Sequence, residues 1–380
     1  MKKIIIASDS FKGSVTSMEV ANAAEKAIFR IYKDCTVVKT AVADGGEGTV
    51  DALVEALNGK IISCTVKGPL LDPVKARYGI LGDEKTAVIE MATASGLTLI
   101  NENQRNPLLT STFGTGELIK DALARGCQKL LIGIGGSATN DAGTGMLQAL
   151  GFRFFDENGN ELDGCGENLS KIVSIDHSHI LPQLKNAEFT IACDVKNPFT
   201  GPNGASHIFA RQKGADEEMI LKLEDGMKKF AKYINEKEGK NIEDVPGAGA
   251  AGGLGGGFLA FLNAKLKPGV EMVLEIINFN KIIENADLVI TGEGKVDKQT
   301  AMGKAPGGVL KAASKKNIPV IALGGCVEDV KELNHMGFLA VFPILPFPVT
   351  LEIAMQKEFT LKNITRTLEQ YLRAIKYFNS

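Results

Sequence analysis

The apolar and polar positions along the chain predict short parallel β-strands connected by helices. Residues 3–7, a lysine followed by four apolar residues, predict a buried strand, and residues 35–42 predict the next strand. Residues 17–32 and 48–57 carry apolar side chains at helical spacing and predict the helices that follow these strands. Apolar strands joined by amphipathic helices are typical of a parallel sheet covered on both faces.

The same alternation returns toward the end of the chain. Residues 287–291, 319–323 and 338–342 predict strands, and residues 304–315 predict a helix between the first two. Residues 351–377 predict one long closing helix. We therefore expect both ends of the chain to contribute strands to one parallel sheet.

The middle of the chain has a different pattern. Three strand-like runs follow one another closely, at residues 60–66, 74–81 and 85–91, with glycine-containing turn signals between them. This pattern predicts a small mixed sheet followed by further α/β structure. The expected architecture is α/β with two domains, one built from residues 1–65 and 281–380 and one inserted at residues 66–280.

Length and charge limit the classes of protein that fit. A chain of 380 residues is long enough for two domains. Its 43 Lys and Arg nearly balance its 45 Asp and Glu, so we expect neither nucleic acid nor a membrane as a partner. The six cysteines are scattered and form no C-x-x-C pair, which predicts a reduced, cytoplasmic chain without structural zinc. A homo-oligomer is compatible with this composition.

One glycine-rich segment has the pattern of an anion-binding loop. Glycine occurs 42 times, above the usual share, and the excess is clustered. In residues 130–150 an apolar strand leads into Gly135, Gly136 and Ser137, and a helix is expected from about Ala142. A strand, a glycine loop and a helix N-terminus can present free N–H groups to a phosphate. The alternative is a tight turn capped by Asn140 or Asp141.

A second glycine cluster lies at residues 246–257. It formally contains the G-x-G-x-x-G pattern, but a polar segment and no strand precedes it, so we expect no dinucleotide site there. The cluster is either a backbone platform for a ligand or a helix start whose glycines allow close packing. Walker A and protein-kinase signatures are absent from the sequence.

Acidic residues recur beside glycines where the predicted strands end. They are Asp9, Asp44, Glu47, Asp194, Glu293 and Asp297. Ligands of open parallel sheets bind at the carboxyl ends of the strands, where carboxylates can hold Mg²⁺, accept hydrogen bonds from hydroxyls or act as bases. Any one of these acids is more often a cap or a solvated turn. Their recurrence at four strand ends favours a functional site.

Together these segments resemble the bacterial type I glycerate kinase family. The motifs that carry the resemblance are DSFKGS (9–14), ADGGEGT (43–49), TFGTGELI (112–119), IGIGGSATNDAGTGMLQALG (132–151), CDVKNPFTGPNGAS (193–206), QKGA (212–215), GAGAAGGLGGG (247–257), TGEGKVDKQTAMGKAPGGV (291–309) and ALGG (322–325). The resemblance implies two α/β domains around an active-site cleft, the one made from both chain ends being flavodoxin-like. It also implies ATP-dependent phosphorylation of D-glycerate with Mg²⁺, with 2-phosphoglycerate as the favoured product.

Phosphoryl transfer needs a phosphate cradle, a cation and a carboxylate near the acceptor hydroxyl. We expect the cradle to bind ATP through Gly135, Gly136, Ser137, Thr139, Asn140 and Asp141. The expected Mg²⁺ ligands are Glu293 and Asp297, and the expected catalytic residues are Asp194 and Lys12. The expected glycerate-binding residues are Asp9, Asp44, Glu47 and Lys213.

Three alternatives stay open at the level of sequence. The chain could be a kinase of another small hydroxy acid, an NAD(P)-dependent oxidoreductase that uses the glycine loops, or a nucleotide sensor without turnover. The oxidoreductase lacks the acidic residue expected after a strand–GxGxxG unit. The sequence also leaves open which glycine cluster binds ATP and which binds glycerate.

Overall fold

The structure is a computed structural model that describes residues 1–301 and 303–378. Its strands are β1 Lys3–Ser8, β2 Thr36–Ala41, β3 Lys60–Lys67, β4 Pro73–Ile80, β5 Thr86–Glu90, β6 Lys129–Gly133, β7 Arg153–Phe155, β8 Glu161–Leu162, β9 Ser174–Asp176, β10 Glu188–Ala192, β11 Lys265–Lys267, β12 Leu288–Val296, β13 Val320–Val327 and β14 Ala340–Pro343.

Its α-helices are α1 Ser17–Ile31, α2 Thr49–Ala56, α3 Ala92–Ser95, α4 Phe113–Ala124, α5 Thr144–Ala149, α6 Ala205–Phe209, α7 Glu217–Tyr233, α8 Ala250–Phe261, α9 Gly269–Ile276, α10 Phe279–Ile282, α11 Ala305–Ser314, α12 Val330–Met336, α13 Leu351–Ala354 and α14 Lys357–Phe378. No helix in the described ranges is both long enough and apolar enough to span a membrane.

The chain folds into two compact units. The first contains Met1–Asp44, Asp51–Leu57 and the chain from Gly269 onward, and the second contains Gly45–Val50 and Asn58–Pro268. The observed boundaries differ from the predicted ones at both ends of the insertion. Strand β3 pairs antiparallel with β4 and so lies in the second unit, whereas residues 269–280 lie in the first.

The first unit is built on a five-stranded parallel sheet. The strand order is β14-β13-β12-β1-β2, and every neighbouring pair is parallel. Counted along the chain within this sheet, the order is 2-1-3-4-5, the flavodoxin-like arrangement. Both chain ends therefore share one sheet, as the apolar pattern predicts. The sheet packs through Ile4, Ile6, Ile290 and Ile321 against α1 and α14, whose buried side chains belong to the same core.

Helix α1 illustrates how the local sequence sets an element boundary. Thr16 is its N-cap, and its Oγ1 accepts a hydrogen bond from the Glu19 amide at 3.3 Å. The Glu19 carboxylate accepts one from the Thr16 amide at 3.0 Å, which completes a capping box. The start of the helix is thereby fixed directly after the DSFKGS turn.

The second unit contains a six-stranded mixed sheet. Its order is β11-β10-β6-β5-β4-β3, in which β3, β4 and β5 pair antiparallel and the remaining pairs are parallel. A separate three-stranded antiparallel sheet, β8-β7-β9, completes the unit. The mixed sheet expected in the middle of the chain is therefore present, and the α/β fold class is confirmed.

Two predicted elements differ from the observed ones. Strand β12 continues to Val296, so Glu293 lies within a strand rather than at its end. The predicted closing helix is two helices, α13 and α14, which are separated by Met355 and Gln356. The end of β12 is not visible as an apolar run because it consists of glycine and charged residues that pair with β13.

Candidate functional site

The first unit gathers acidic residues where its strand order reverses. Asp9 directly follows β1, Asp44 follows β2, and Glu293 lies in β12, the neighbour of β1 on its other side. The Asp9 amide donates to the Gly292 carbonyl at 2.9 Å, which fixes the end of β1 beside Glu293. In open α/β sheets this reversal is the place where ligands bind.

Asp9 is a buried carboxylic acid in this cluster. The residue is 5% exposed, and its Oδ1 accepts a hydrogen bond from the Ser10 amide at 2.6 Å. Burial, with the negative charges of Asp44 and Glu293, raises the pKa of Asp9 to about 7, against the opposing effects of the Ser10 amide and Lys12. Asp9 therefore exchanges its proton near neutral pH.

Glu293 and Asp297 are linked by the hydroxyl of Thr300. Thr300 Oγ1 donates to Glu293 Oε1 at 2.6 Å and accepts from the Asp297 amide at 3.0 Å. The Asp297 Oδ1 atom accepts from the Gln299 amide at 2.9 Å. Burial raises the pKa of Glu293, and the charges of Asp44 and Asp297 add to this effect, whereas the Thr300 hydrogen bond opposes it.

This arrangement fits a hard divalent cation. Glu293 and Asp297 each have one oxygen held by the protein, while Glu293 Oε2 lies 3.7 Å from Lys304 Nζ and Asp297 Oδ2 lies 3.6 Å from Lys295 Nζ. Within the described ranges no three His, Cys, Asp or Glu side chains form a complete metal site. Mg²⁺ suits such a pair, since it usually binds one or two carboxylates and keeps several waters.

Two further predicted residues, Lys12 and Asp44, belong to the first unit, whereas Glu47 belongs to the second. Lys12 is exposed in the turn between β1 and α1, and Asp44 is half-buried at the end of β2. Glu47 is exposed and belongs to the Gly45–Val50 segment of the second unit. The ADGGEGT motif is thus divided between the two units.

In the second unit, β6 leads into a loop, residues 134–140, whose open part is Gly135 and Gly136. Both glycines are exposed, whereas Ser137, Thr139 and Asn140 are buried. The carbonyl of Gly136 accepts from the Leu97 amide at 2.9 Å, which attaches one side of the loop to the protein. In the part of the chain that the structure describes, no group accepts a hydrogen bond from the Gly135 or Gly136 amide.

The helix after this loop does not supply the free N-terminus that the sequence suggested. It begins at Thr144 rather than near Ala142 and has six residues. The Asp141 carboxylate accepts from the Gly143 and Gly145 amides at 3.2 and 3.3 Å, and Thr112 Oγ1 accepts from the Met146 amide at 2.9 Å. The first N–H groups of this helix are therefore already bonded within the protein.

The Asp141 side chain is buried and connects Thr112 to the start of α5 through hydrogen bonds. It is 0% exposed, and its Oδ2 also accepts from the amide and the hydroxyl of Thr112, both at 2.7 Å. Burial raises the pKa of Asp141, and these hydrogen bonds oppose the rise. Asp141 thus lies beneath the loop with its oxygens bonded to protein groups, and its predicted contact with the nucleotide stays a prediction.

Lys213, predicted to bind glycerate, is a buried side chain that bonds to the glycine loop. It is 2% exposed, and its Nζ donates to Ser137 Oγ at 2.8 Å and to the Thr139 carbonyl at 2.7 Å. Burial lowers the pKa of Lys213 to about 7, and the negative charge of Asp141 opposes this change. Its ammonium group contacts the loop from behind.

The second glycine cluster packs against the first loop. The Ala142 amide donates to the Gly252 carbonyl at 3.0 Å. A Cβ atom on Gly252 would lie 2.0 Å from the Thr139 carbonyl oxygen, and one on Gly257 would lie 2.5 Å from that of Ala142. The structure thus favours close packing as the reason for these glycines.

Asp194 lies two residues beyond the end of β10 and is exposed. The preceding residue, Cys193, extends the pairing by donating its amide to the Lys267 carbonyl at 2.9 Å. Asp194 therefore lies just beyond the strand end and outside the sheet. This is the position that the sequence suggested.

The chain matches the profile of the Glycerate kinase family over residues 4–376. It belongs to the glycerate kinase family. It is 48% identical to a glycerate kinase from Bacillus subtilis (strain 168) over 375 residues, which cover 98% of each chain. It is 46% identical to the Escherichia coli (strain K12) protein named glycerate 2-kinase, over 96% of this chain and 98% of that protein.

A solved structure supports the same assignment. The crystal structure of a protein provisionally described as glycerate kinase 2, from Salmonella typhimurium LT2, superimposes with a TM-score of 0.92 at 43% identity. The match covers 100% of this chain and 99% of that one. The predicted family, fold class and ATP-dependent glycerate kinase activity are confirmed, which decides against the oxidoreductase alternative.

Sequence reasoning missed two hydroxyl residues of these sites. Thr300 lies three residues after Asp297, a spacing at which a hydroxyl can bond a nearby amide, so a local signal was present. Thr112 lies 29 residues from Asp141, and no local pattern predicts that contact.

Proposed function

We propose that this glycerate kinase transfers the terminal phosphoryl group of ATP to the 2-hydroxyl of D-glycerate. The 46% identity to a protein named glycerate 2-kinase over almost the whole chain is the observation that carries this choice of hydroxyl. The residue roles that follow are part of the same proposal.

The loop of the second unit binds the phosphates of ATP. Gly135 and Gly136 are exposed, and their amides are free to donate to anionic oxygens. A Cβ atom on Gly135 would meet no atom within 4 Å, so a phosphate has room to approach the backbone there. Ser137 adds a hydroxyl donor, while Thr139, Asn140 and Asp141 shape the loop from within.

Glu293 and Asp297 hold Mg²⁺, directly or through water. When bound, the cation neutralises phosphate charge and orients the transferring group. The Thr300 hydroxyl fixes the Glu293 carboxylate, and Lys304 and Lys295 partly balance the pair. Burial and the neighbouring carboxylates raise the pKa values of Asp9 and Glu293, and a bound cation would oppose this effect by favouring the charged carboxylates.

Glycerate is bound through its hydroxyl and carboxylate groups. Asp9, Asp44 and Glu47 offer acceptors to hydroxyls, and the exposed ammonium of Lys12 offers charge to the substrate carboxylate. Asp194 orients or deprotonates the reacting hydroxyl, so that the oxygen attacks the terminal phosphorus as ADP leaves.

A substrate panel tests this function. ATP consumption is measured with D-glycerate, tartronate and glycolate, each with Mg²⁺ and with excess chelator. We expect turnover to be fastest with D-glycerate and to vanish in chelator. Faster turnover of tartronate or glycolate would reassign the substrate, and full activity in chelator would remove the cation from the mechanism.

A further inference from the structure

Lys213 is a fully buried lysine whose position is set by a tight turn. It ends the helical turn Arg211–Lys213 and precedes Gly214, which has φ of +98°. A Cβ atom on Gly214 would lie 2.4 Å from the Arg105 carbonyl oxygen, so this residue must be glycine for the chain to turn here. The turn directs the ammonium group into the interior behind the glycine loop.

Burying this ammonium group is costly, and an apolar side chain would fill the same space without that cost. The cost is reflected in the pKa of Lys213, which burial lowers and the negative charge of Asp141 restores only in part. A lysine at this position differs from an apolar residue by its two hydrogen bonds, to Ser137 Oγ and to the Thr139 carbonyl, and its role therefore depends on them.

The bond from Lys213 to Ser137 determines whether the Ser137 hydroxyl can donate a hydrogen bond to a ligand. Lys213 Nζ donates to Ser137 Oγ, and an Oγ atom that accepts this bond keeps its own hydrogen to donate elsewhere. On the other side of the loop, Gly136 and Ala138 are bonded to Leu97 and Ser95. The loop is thus held from both sides. Within the described part of the chain, the exposed Gly135 and Gly136 amides and the Ser137 hydroxyl donate to no protein group.

We propose that Lys213 is a positioning residue that orients the Ser137 hydroxyl and fixes the loop so that both donate to the phosphates of ATP. Lys213 does not contact the substrates itself. This inference rests on the proposed function, which places the phosphates of ATP at this loop.

A double-mutant cycle tests the inference. ATP affinity is measured by calorimetry without glycerate for Lys213→Met, Ser137→Ala and the double variant. Each single variant is expected to weaken binding on the order of 10- to 100-fold, the value of a hydrogen bond to a charged group. Because Lys213 acts through Ser137, the double variant should bind about as weakly as Lys213→Met alone.

Lys240 provides a matched control. Its Nζ also donates to a carbonyl and a side-chain oxygen, of Ala260 and Asn263, both at 2.7 Å, but it lies outside the loop. Lys240→Met should leave ATP affinity unchanged. If Lys213→Met fails to fold, Lys213→Gln, which keeps a neutral donor, takes its place in the cycle.

Effects of the two single variants that multiply in the double variant would overturn the inference, since Lys213 would then contact ATP independently of Ser137. If ATP affinity is unchanged but the KM for glycerate rises non-additively in these variants, the proposed binding site of ATP is refuted, whereas the positioning role of Lys213 is supported. Unchanged affinity for both substrates would refute the positioning role itself.

Discussion

Gly135 and Gly136 look equivalent in the sequence, but they place different demands on the backbone. Gly136 has φ of +75°, a conformation that favours glycine whatever lies nearby. Gly135 is outside that region, and a Cβ atom there would have open space around it. Gly135 is therefore the position at which a side chain can block a ligand without straining the fold.

We expect Gly135→Val to keep a melting temperature near that of the wild type and to raise the KM for ATP at least several-fold. The branched side chain would occupy the space through which a phosphate reaches the amides. Gly136→Val is the contrasting variant, because its strained backbone should lower the melting temperature as well. Unchanged ATP affinity in folded Gly135→Val would place the phosphates elsewhere.

Asp194→Asn keeps the shape of the side chain and removes its charge. If Asp194 deprotonates the hydroxyl, kcat should fall by on the order of 10²–10⁴. Stability and ATP affinity should change little, because the residue is exposed. A kcat within a few-fold of the wild-type value would show that Asp194 forms only a turn, which asparagine also supports.

Asp9 should make the stability of the metal-free protein depend on pH. Its pKa is about 7 in the folded chain and 3.8 as the ordinary value, so the folded state binds more protons between these limits. The Asp9 contribution to stability therefore falls as pH rises from about 4 to about 7.

Denaturant unfolding in chelator checks this expectation. Relative to the wild type, Asp9→Asn should become more stable over that pH range, by on the order of 1–4 kcal/mol. A difference between the two proteins that does not vary with pH would contradict the raised pKa.

At the scale of elements, the start of α8 is interrupted where it meets the glycine loop. Ala251, Gly252 and Gly253 have positive φ values of 53°, 67° and 87°. Ala251 lacks the freedom of its two neighbours, and left-handed backbone costs such a residue roughly 1–2 kcal/mol. The interruption brings Gly252 within hydrogen-bonding distance of Ala142.

Ala251→Gly should relieve this strain and raise the free energy of unfolding by roughly 0.5–1 kcal/mol, after the greater entropy of glycine in the unfolded chain is subtracted. The adjacent Ala250→Gly is the control. Ala250 lies outside the left-handed stretch and is buried, so its substitution should lower stability. Chemical denaturation measures both, and a destabilised Ala251→Gly would show that no strain is stored there.

The apolar periodicity of the sequence predicted which segments are helices and which are strands, but it did not predict where some of these elements end. Residues 3–7 and 17–32 correspond closely to β1 and α1, because a buried strand and an amphipathic helix leave clear patterns. The last part of β12, from Gly292 to Val296, is held by pairing with β13, which a local pattern does not contain. For the same reason the predicted domain boundary at residue 65 falls within β3, which pairs with β4 in the mixed sheet.

At the scale of the whole molecule, strand order explains why widely separated acids could be recognised together. Asp9 and Glu293 are distant in sequence, but β1 and β12 are parallel neighbours, so Asp9, which follows β1, lies beside the part of β12 that contains Glu293. The sequence pointed to Lys213 as a candidate residue but did not predict its partners. Ser137 and Thr139 lie 76 and 74 residues away, on a different element, and only the folded chain shows which side of the loop Lys213 faces.

Phosphorus NMR of the reaction product tests the central claim most directly. Purified protein is incubated with ATP, Mg²⁺ and D-glycerate, and the product spectrum is compared with authentic 2- and 3-phosphoglycerate. We predict ADP and 2-phosphoglycerate in equal amounts. Formation of 3-phosphoglycerate would contradict the assigned hydroxyl, and ADP with free phosphate but no phosphoglycerate would contradict transfer to glycerate altogether.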